Sequence, residues 1–132
     1  MDNVPEKKDY SKYIYALKNA PLDGVPFHSN TLCIDRYISE NFPVHAAIHV
    51  ISAVNTIPQE YVNLHKHTVP EINILLGNVE YKICFENEEY LIKSPSNIWI
   101  PKDTLHSANV ISGSGYYICI ILDSEYAATG KK

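Results

Sequence analysis

Between Phe27 and Leu122 the chain runs in short stretches of alternating apolar and polar residues, punctuated by Gly, Pro, Asn and Ser. That period of two is the mark of β-strands, and the punctuation is the mark of turns. TLCIDRYI, VHAAIHVISAV, NLHKHTVPEINILLG, VEYKICF, YLIK, IWIP, HSANVI and YYICIIL each read as a strand. SENFP, NTIPQEY, Gly77-Asn78, ENEE, SPSN and SGSG separate them. Many short strands at regular intervals predict an all-β sandwich or barrel. A different period holds near the start: Tyr10, Tyr13, Ile14 and Leu17 fall at helical spacing behind Asp9 and Ser11. They predict one short amphipathic helix lying across a barrel face. The expected divisions are an N-terminal extension over 1–26, a barrel over 27–123 and a tail over 124–132. The ends of the chain are expected to be poorly ordered.

Composition narrows the function classes. A chain of 132 residues is one domain by length, and 45% apolar with 20% charged residues is ordinary for a globular protein. A formal charge of −4 without any Lys/Arg run argues against a nucleic-acid surface. No stretch reaches the length of a membrane span, and MDNVPEKKDY lacks the apolar centre of a signal peptide, so the expected location is the cytoplasm. Cys33, Cys84 and Cys119 form no C-x-x-C pair, and their odd number suits buried thiols in a reducing compartment.

The chemistry concentrates in NLHKHTVPEINILLG. His65, His67 and Glu71 stand at even offsets, so on one extended strand they project to one face, with a kink at Pro70 able to shift the last. His106 follows in IPKDTLHSAN. Three imidazoles and a carboxylate converging on one point suit a divalent first-row metal. Four protein ligands leave two of six octahedral positions for water or substrate. Ile72, Ile74 and Leu76 then point outward, and YYICIIL is apolar on both faces. A small barrel does not leave that much apolar surface in water, which predicts cover by the helix or by a second subunit, hence a homodimer.

Here the sequence resembles a family. HKHTVPE followed by Gly77 is similar to the first motif of the cupins, and PSNIWIPKDTLH to the second. The resemblance implies a double-stranded β-helix, or jelly roll, with His65, His67, Glu71 and His106 as metal ligands. It departs from the pattern at Glu60, Pro95 and Asp103, where glycines are usual, and at Asn109, which is one residue early. Those departures alter turns and remove no ligand. The implied activity is that of a mononuclear metal-dependent enzyme on a small organic molecule. Dioxygenase-type chemistry at Fe(II) comes first; a non-redox isomerase, lyase or cyclase is next, then a non-catalytic small-ligand sensor. Zn, Ni, Mn and Cu are the other metals such donors accept. Around the ligands, His49 and Tyr81 are candidates for moving protons. Asn73, Trp99, Arg36, His45 and Tyr117 are candidates for touching substrate.

Overall fold

The computed structural model describes residues 8–123 and 129–130. Among these residues nine strands form: β1 (Lys18–Asn19), β2 (Ile34–Ile38), β3 (His45–Val54), β4 (His65–Lys66), β5 (Glu71–Phe85), β6 (Glu88–Lys93), β7 (Ser96–Ile100), β8 (His106–Ile121) and β9 (Thr129–Gly130). All pairings are antiparallel.

Two long strands organise the barrel. β5 and β8 pair along their whole length, from Glu71 opposite Ile121 to Phe85 opposite His106. Sequence reading places tight turns at Gly77-Asn78 and at SGSG, but the chain does not reverse there. Both strands continue through those positions and bend together. Gly77 and Gly113 take φ of 90° and 96°, where residues with a Cβ are strained. A Cβ on Gly115 would sit 2.2 Å from the Leu76 carbonyl oxygen. The glycines thus act as a crossing point of two strands, so each strand serves two sheets. On one side of the bend β5 pairs with β7 and β8 with β3, which continues to β2 and β1; on the other, β5 pairs with β6 and β8 with β4, then β9. This is an antiparallel jelly-roll barrel.

Burial follows the alternation. On β5, Glu71, Asn73, Leu75, Val79, Tyr81 and Ile83 are buried, while the residues between them are half-buried or exposed. The core also takes Ala47, Ile51, Ile98, Ile100, Val110, Tyr117 and Ile121 from facing strands. The N-terminal helix is much reduced. Only a single 3-10 turn forms, at Ser11–Tyr13, and it buries none of its residues. The stretch then adds β1 to the edge of β2 rather than covering a face. Part of the tail is strand as well, since Thr129 and Gly130 pair with Lys66 and His65. Among the described residues no helix is long and apolar enough to cross a membrane. The expectation of disorder at the ends concerns mostly 1–7, 124–128 and 131–132, which lie outside the described residues.

Candidate metal centre

His65, His67, Glu71 and His106 come together, all buried, with one candidate ligand atom from each lying within 4.8 Å of the others. They do so by a different route from the single strand of the sequence reading. His65 lies on β4, His67 just beyond it, and Glu71 opens β5 after a bend through Thr68–Pro70. The register closes the group, because His65 pairs directly with His106. A backbone bond from Asp103 N–H to the His67 carbonyl at 2.7 Å ties the second loop to the first.

Backbone carbonyls orient the imidazoles. The Nδ1 of His65 lies 2.7 Å from the Asn63 carbonyl, and that of His106 lies 2.9 Å from the Thr104 carbonyl. A carbonyl only accepts, so each Nδ1 carries the proton and each Nε2 turns its lone pair inward. Glu71 Oε1 stands 3.1 Å from His67 Nε2 and 3.3 Å from His106 Nε2. Yet buried His106 Nε2 makes no hydrogen bond. Its lone pair points beside the carboxylate, at the space the four residues share, as metal ligation requires. With bonds of about 2.0–2.2 Å to nitrogen and oxygen, a first-row divalent ion suits that donor spacing. The residues therefore fit a metal ion. Asn73, fully buried, donates from Nδ2 to Glu71 Oε2 at 2.7 Å and fixes the carboxylate plane.

Electrostatics favour the same outcome. Burial alone opposes ionisation of Glu71, but the close His106 and His67 imidazoles and the bond from Asn73 hold its carboxyl far below the usual range. Burial, with His106 next to it, lowers His65 to about 3. A neutral His65 imidazole beside an ionised carboxylate matches the protonation states a metal needs.

A cavity of about 20 Å³ adjoins the cluster, room for one water-sized molecule. Glu71, His65 and His106 face it, with Arg36, His45, His49, Tyr117 and Cys119 on the other walls. The sheet register explains this: His45 and Glu71 both pair with Ile121, and His49 pairs with Arg36 on one side and Tyr117 on the other. Arg36 is thus an inward residue, buried, donating from Nη1 to the Ala20 carbonyl at 3.2 Å. Burial, then Arg36, lowers His45 to about 4 and His49 to about 3, so both rings are neutral near pH 7. His49 Nδ1 is buried in this wall without a hydrogen-bond partner.

Three sequence candidates sit away from the cavity. Trp99 alternates with buried Ile98 and Ile100 on β7 and lies 57% exposed on the outer face, so it forms no part of the wall. Tyr81 is fully buried behind Tyr117, stacked on it at 4.9 Å, and burial pushes both hydroxyls well above their ordinary range. Its place is structural support. Asn73 touches Glu71 rather than the cavity. Sequence reading missed Phe27 and His28, in a loop with no period to mark them. The Phe27 ring stacks parallel on His65 at 5.9 Å, and His28, whose Nδ1 lies 2.7 Å from the Pro26 carbonyl, lines the cavity. Phe27 has φ of 65°, a left-handed position that nothing in an aromatic residue advertises.

A jelly roll with these four donors at its inner wall defines a cupin-fold protein with a candidate mononuclear metal centre. Comparison with solved structures shows that fold directly. The chain is similar to a cupin-2 domain from Rhodospirillum rubrum (TM-score 0.59, 9% identity, 100% of this chain and 84% of that one). It is similar to KdgF from Halomonas sp. (0.53, 15%, 79% and 92%) and to the DMSP lyase DddQ from Ruegeria pomeroyi (0.56, 12%, 91% and 62%). By sequence, no protein-family model and no curated protein matches.

Proposed function

We propose that the protein is a mononuclear metal-dependent enzyme acting on a small anionic organic molecule, with His65, His67, Glu71 and His106 holding the metal. The observation that carries this reading is the buried, unbonded His106 Nε2 aimed into a ring of donors that opens on a cavity. A structural ion needs no cavity beside it, and four ligands with space adjacent are the arrangement of a metal open to substrate. When bound, the metal supplies Lewis-acid polarisation of a substrate oxygen or, as Fe(II), activation of dioxygen. Fe(II) with oxidative chemistry is the first reading, because imidazole–carboxylate sets with open positions suit it.

The chain's own residues do the rest. Arg36, the one Lys or Arg among the described residues facing the cavity, orients a carboxylate or other oxyanion on the substrate. His49, neutral and with Nδ1 turned into the same wall, accepts a substrate proton or hydrogen-bonds a substrate hydroxyl. Tyr117 and Cys119, kept protonated by burial, close the wall without adding charge. The neutral His49 also favours a second reading, in which a non-redox metal and a proton abstraction make the enzyme a lyase or isomerase.

Screening small carboxylic acids, aerobically and anaerobically, with protein loaded with Fe(II), Mn(II), Ni(II) or Zn(II) separates the two. Turnover that consumes oxygen only with Fe(II) supports the first reading. Oxygen-independent turnover supports the second. Metal uptake without protection or turnover by any acid in the panel contradicts the substrate class.

A further inference from the structure

Asn109 stands one residue early in the motif that contains His106, and that offset turns its side chain to the other face of β8. Residues three apart on a strand point to opposite sides, so His106 faces the metal centre and Asn109 faces away from it. Asn109 is nevertheless buried, at 3% exposure. The stretch 60–63, just before the first ligand, lies against it. The Asn109 amide grips that stretch as a neighbouring strand would. Its Oδ1 accepts from Tyr61 N–H at 2.9 Å and from Val62 N–H at 3.0 Å, and its Nδ2 donates to the Val62 carbonyl at 3.1 Å. Lys82, opposite Asn109 on β5, pairs with Glu60. A second hold comes from the irregularity beside it. The register of β5 and β8 shifts so that Ile111 has no partner, and Val110 N–H donates to the Tyr61 hydroxyl at 3.0 Å.

The held stretch leads directly to His65. Asn63, the next residue, presents the carbonyl that lies 2.7 Å from His65 Nδ1. Its N–H donates to the Phe27 carbonyl at 2.9 Å, and the Phe27 ring stacks on His65 at 5.9 Å with the two planes 2° apart. A bridge between His28 and Val62, and a bond from Ser29 N–H to the Tyr61 carbonyl at 2.7 Å, tie the same loop to the same stretch. The acceptor at His65 Nδ1 and the ring that lies along the His65 plane are thus both held by residues 61–63. His106 has no such dependence, since its Nδ1 faces the Thr104 carbonyl at 2.9 Å on its own loop.

We propose that Asn109 is a positioning residue for the metal centre. By clamping the backbone of Tyr61 and Val62 it sets the Asn63 carbonyl and the Phe27 ring against His65, and so aims His65 Nε2 at the metal. The proposal rests on the reading of His65 as a ligand. Loss of the amide leaves two buried N–H groups and a carbonyl without their partner, a cost that the stretch escapes only by moving. A His65 ring without a fixed acceptor at Nδ1 exchanges between its two neutral tautomers, and only the Nδ1–H form presents a lone pair on Nε2. Groups that orient a ligand in this way are worth about 10–100-fold in metal affinity.

Nitrogen-15 NMR of the histidine rings in metal-free full chain tests the clamp without bound metal. The wild type is expected to hold His65 as the Nδ1–H tautomer alone. Asn109→Ala is expected to give a mixture at His65 while His106 stays as it was. A competition titration is expected to show metal affinity lower by about 10–100-fold at unchanged stoichiometry. Gly115→Ala, which crowds the strand crossing well along β8 from His106, serves as the stability control. It is expected to lower the melting temperature and to leave both readouts unchanged. Should Asn109→Ala not melt cooperatively, Asn109→Asp takes its place. That variant keeps Oδ1 and turns the donor facing Val62 into an acceptor, and is expected to change His65 in the same direction. A folded Asn109 variant whose His65 keeps its tautomer, or whose His106 changes equally, overturns the proposal. So does an equal loss of affinity in Gly115→Ala. A tautomer change at His65 in a protein that takes up no metal upholds the clamp and overturns the ligand reading instead.

Discussion

Asn73 shows how much one amide can decide. Its Nδ2 bond to Glu71 at 2.7 Å holds the carboxylate with Oε1 toward His67 and His106, and Asn73 is fully buried. Removing a partner that orients a ligand costs about 10–100-fold in metal affinity. Asn73→Leu is therefore expected to weaken metal binding by that factor in a competition titration while the fold survives; unchanged affinity would show that Glu71 needs no such support. His49 is a different case, since its Nδ1 contacts no ligand of the metal. His49→Phe is expected to leave metal stoichiometry unchanged and to lower turnover at least about a hundredfold, the usual worth of a positioned proton acceptor. Equal loss of metal would reassign His49 to the centre's architecture. The four ligand residues were legible because histidines and a glutamate at fixed spacing are rare by chance. Arg36, a candidate for touching substrate on sequence alone, is placed inward by its burial and its pairing with His49. His28 was not legible, because loop residues carry no period and only the folded chain brings that imidazole to the cavity.

Strand alternation predicts every β element here except β1 and β9, and on β5 it also predicts the inward face. It misplaces the turns. Gly77, Gly113 and Gly115 signal a break in regular backbone, and a sequence offers no means of telling a reversal from a bend shared by two long strands. The crossing depends on close backbone approach: a Cβ at Gly115 meets the Leu76 oxygen at 2.2 Å, and one at Gly113 meets the Asn78 oxygen at 2.0 Å. Gly115→Ala is accordingly expected to lower stability by about 1–3 kcal/mol in a denaturant melt, as overpacking does. A neutral result would mean the strands separate easily there. The N-terminal helix failed for another reason. Helical spacing of Tyr10, Tyr13, Ile14 and Leu17 needs a groove to bury its stripe, and the described residues offer none at that edge. Only Ser11–Tyr13 turn, and the chain then runs on to β1 at Lys18–Asn19.

For the molecule as a whole, the buried histidines couple folding to pH. His65 and His49 titrate near 3 in the folded chain and His45 near 4, against about 6.5 when unfolded. Below pH 6.5 the unfolded chain binds more protons than the folded one, so stability is complete above that pH and falls as acid is added, down to about pH 4–3. The limiting slope is about 1.4 kcal/mol per pH unit for each buried histidine, with neighbours reducing the sum. Metal-free protein melted between pH 8 and 4 is expected to lose stability progressively below 6.5; a flat profile would contradict burial of these rings. Bound metal adds a second dependence of the same sign, since protons compete for His65, His67 and His106.

Metal content tests the central claim most directly. Protein purified without chelators or a metal-binding tag, analysed by elemental mass spectrometry beside His65→Ala/His106→Ala, is expected to hold about one first-row divalent ion per chain, lost in the variant. Its melting temperature is expected to fall when the ion is removed. A wild type that binds no metal after reconstitution, or a variant that binds it equally, would contradict the account and leave a barrel whose buried imidazoles serve another purpose.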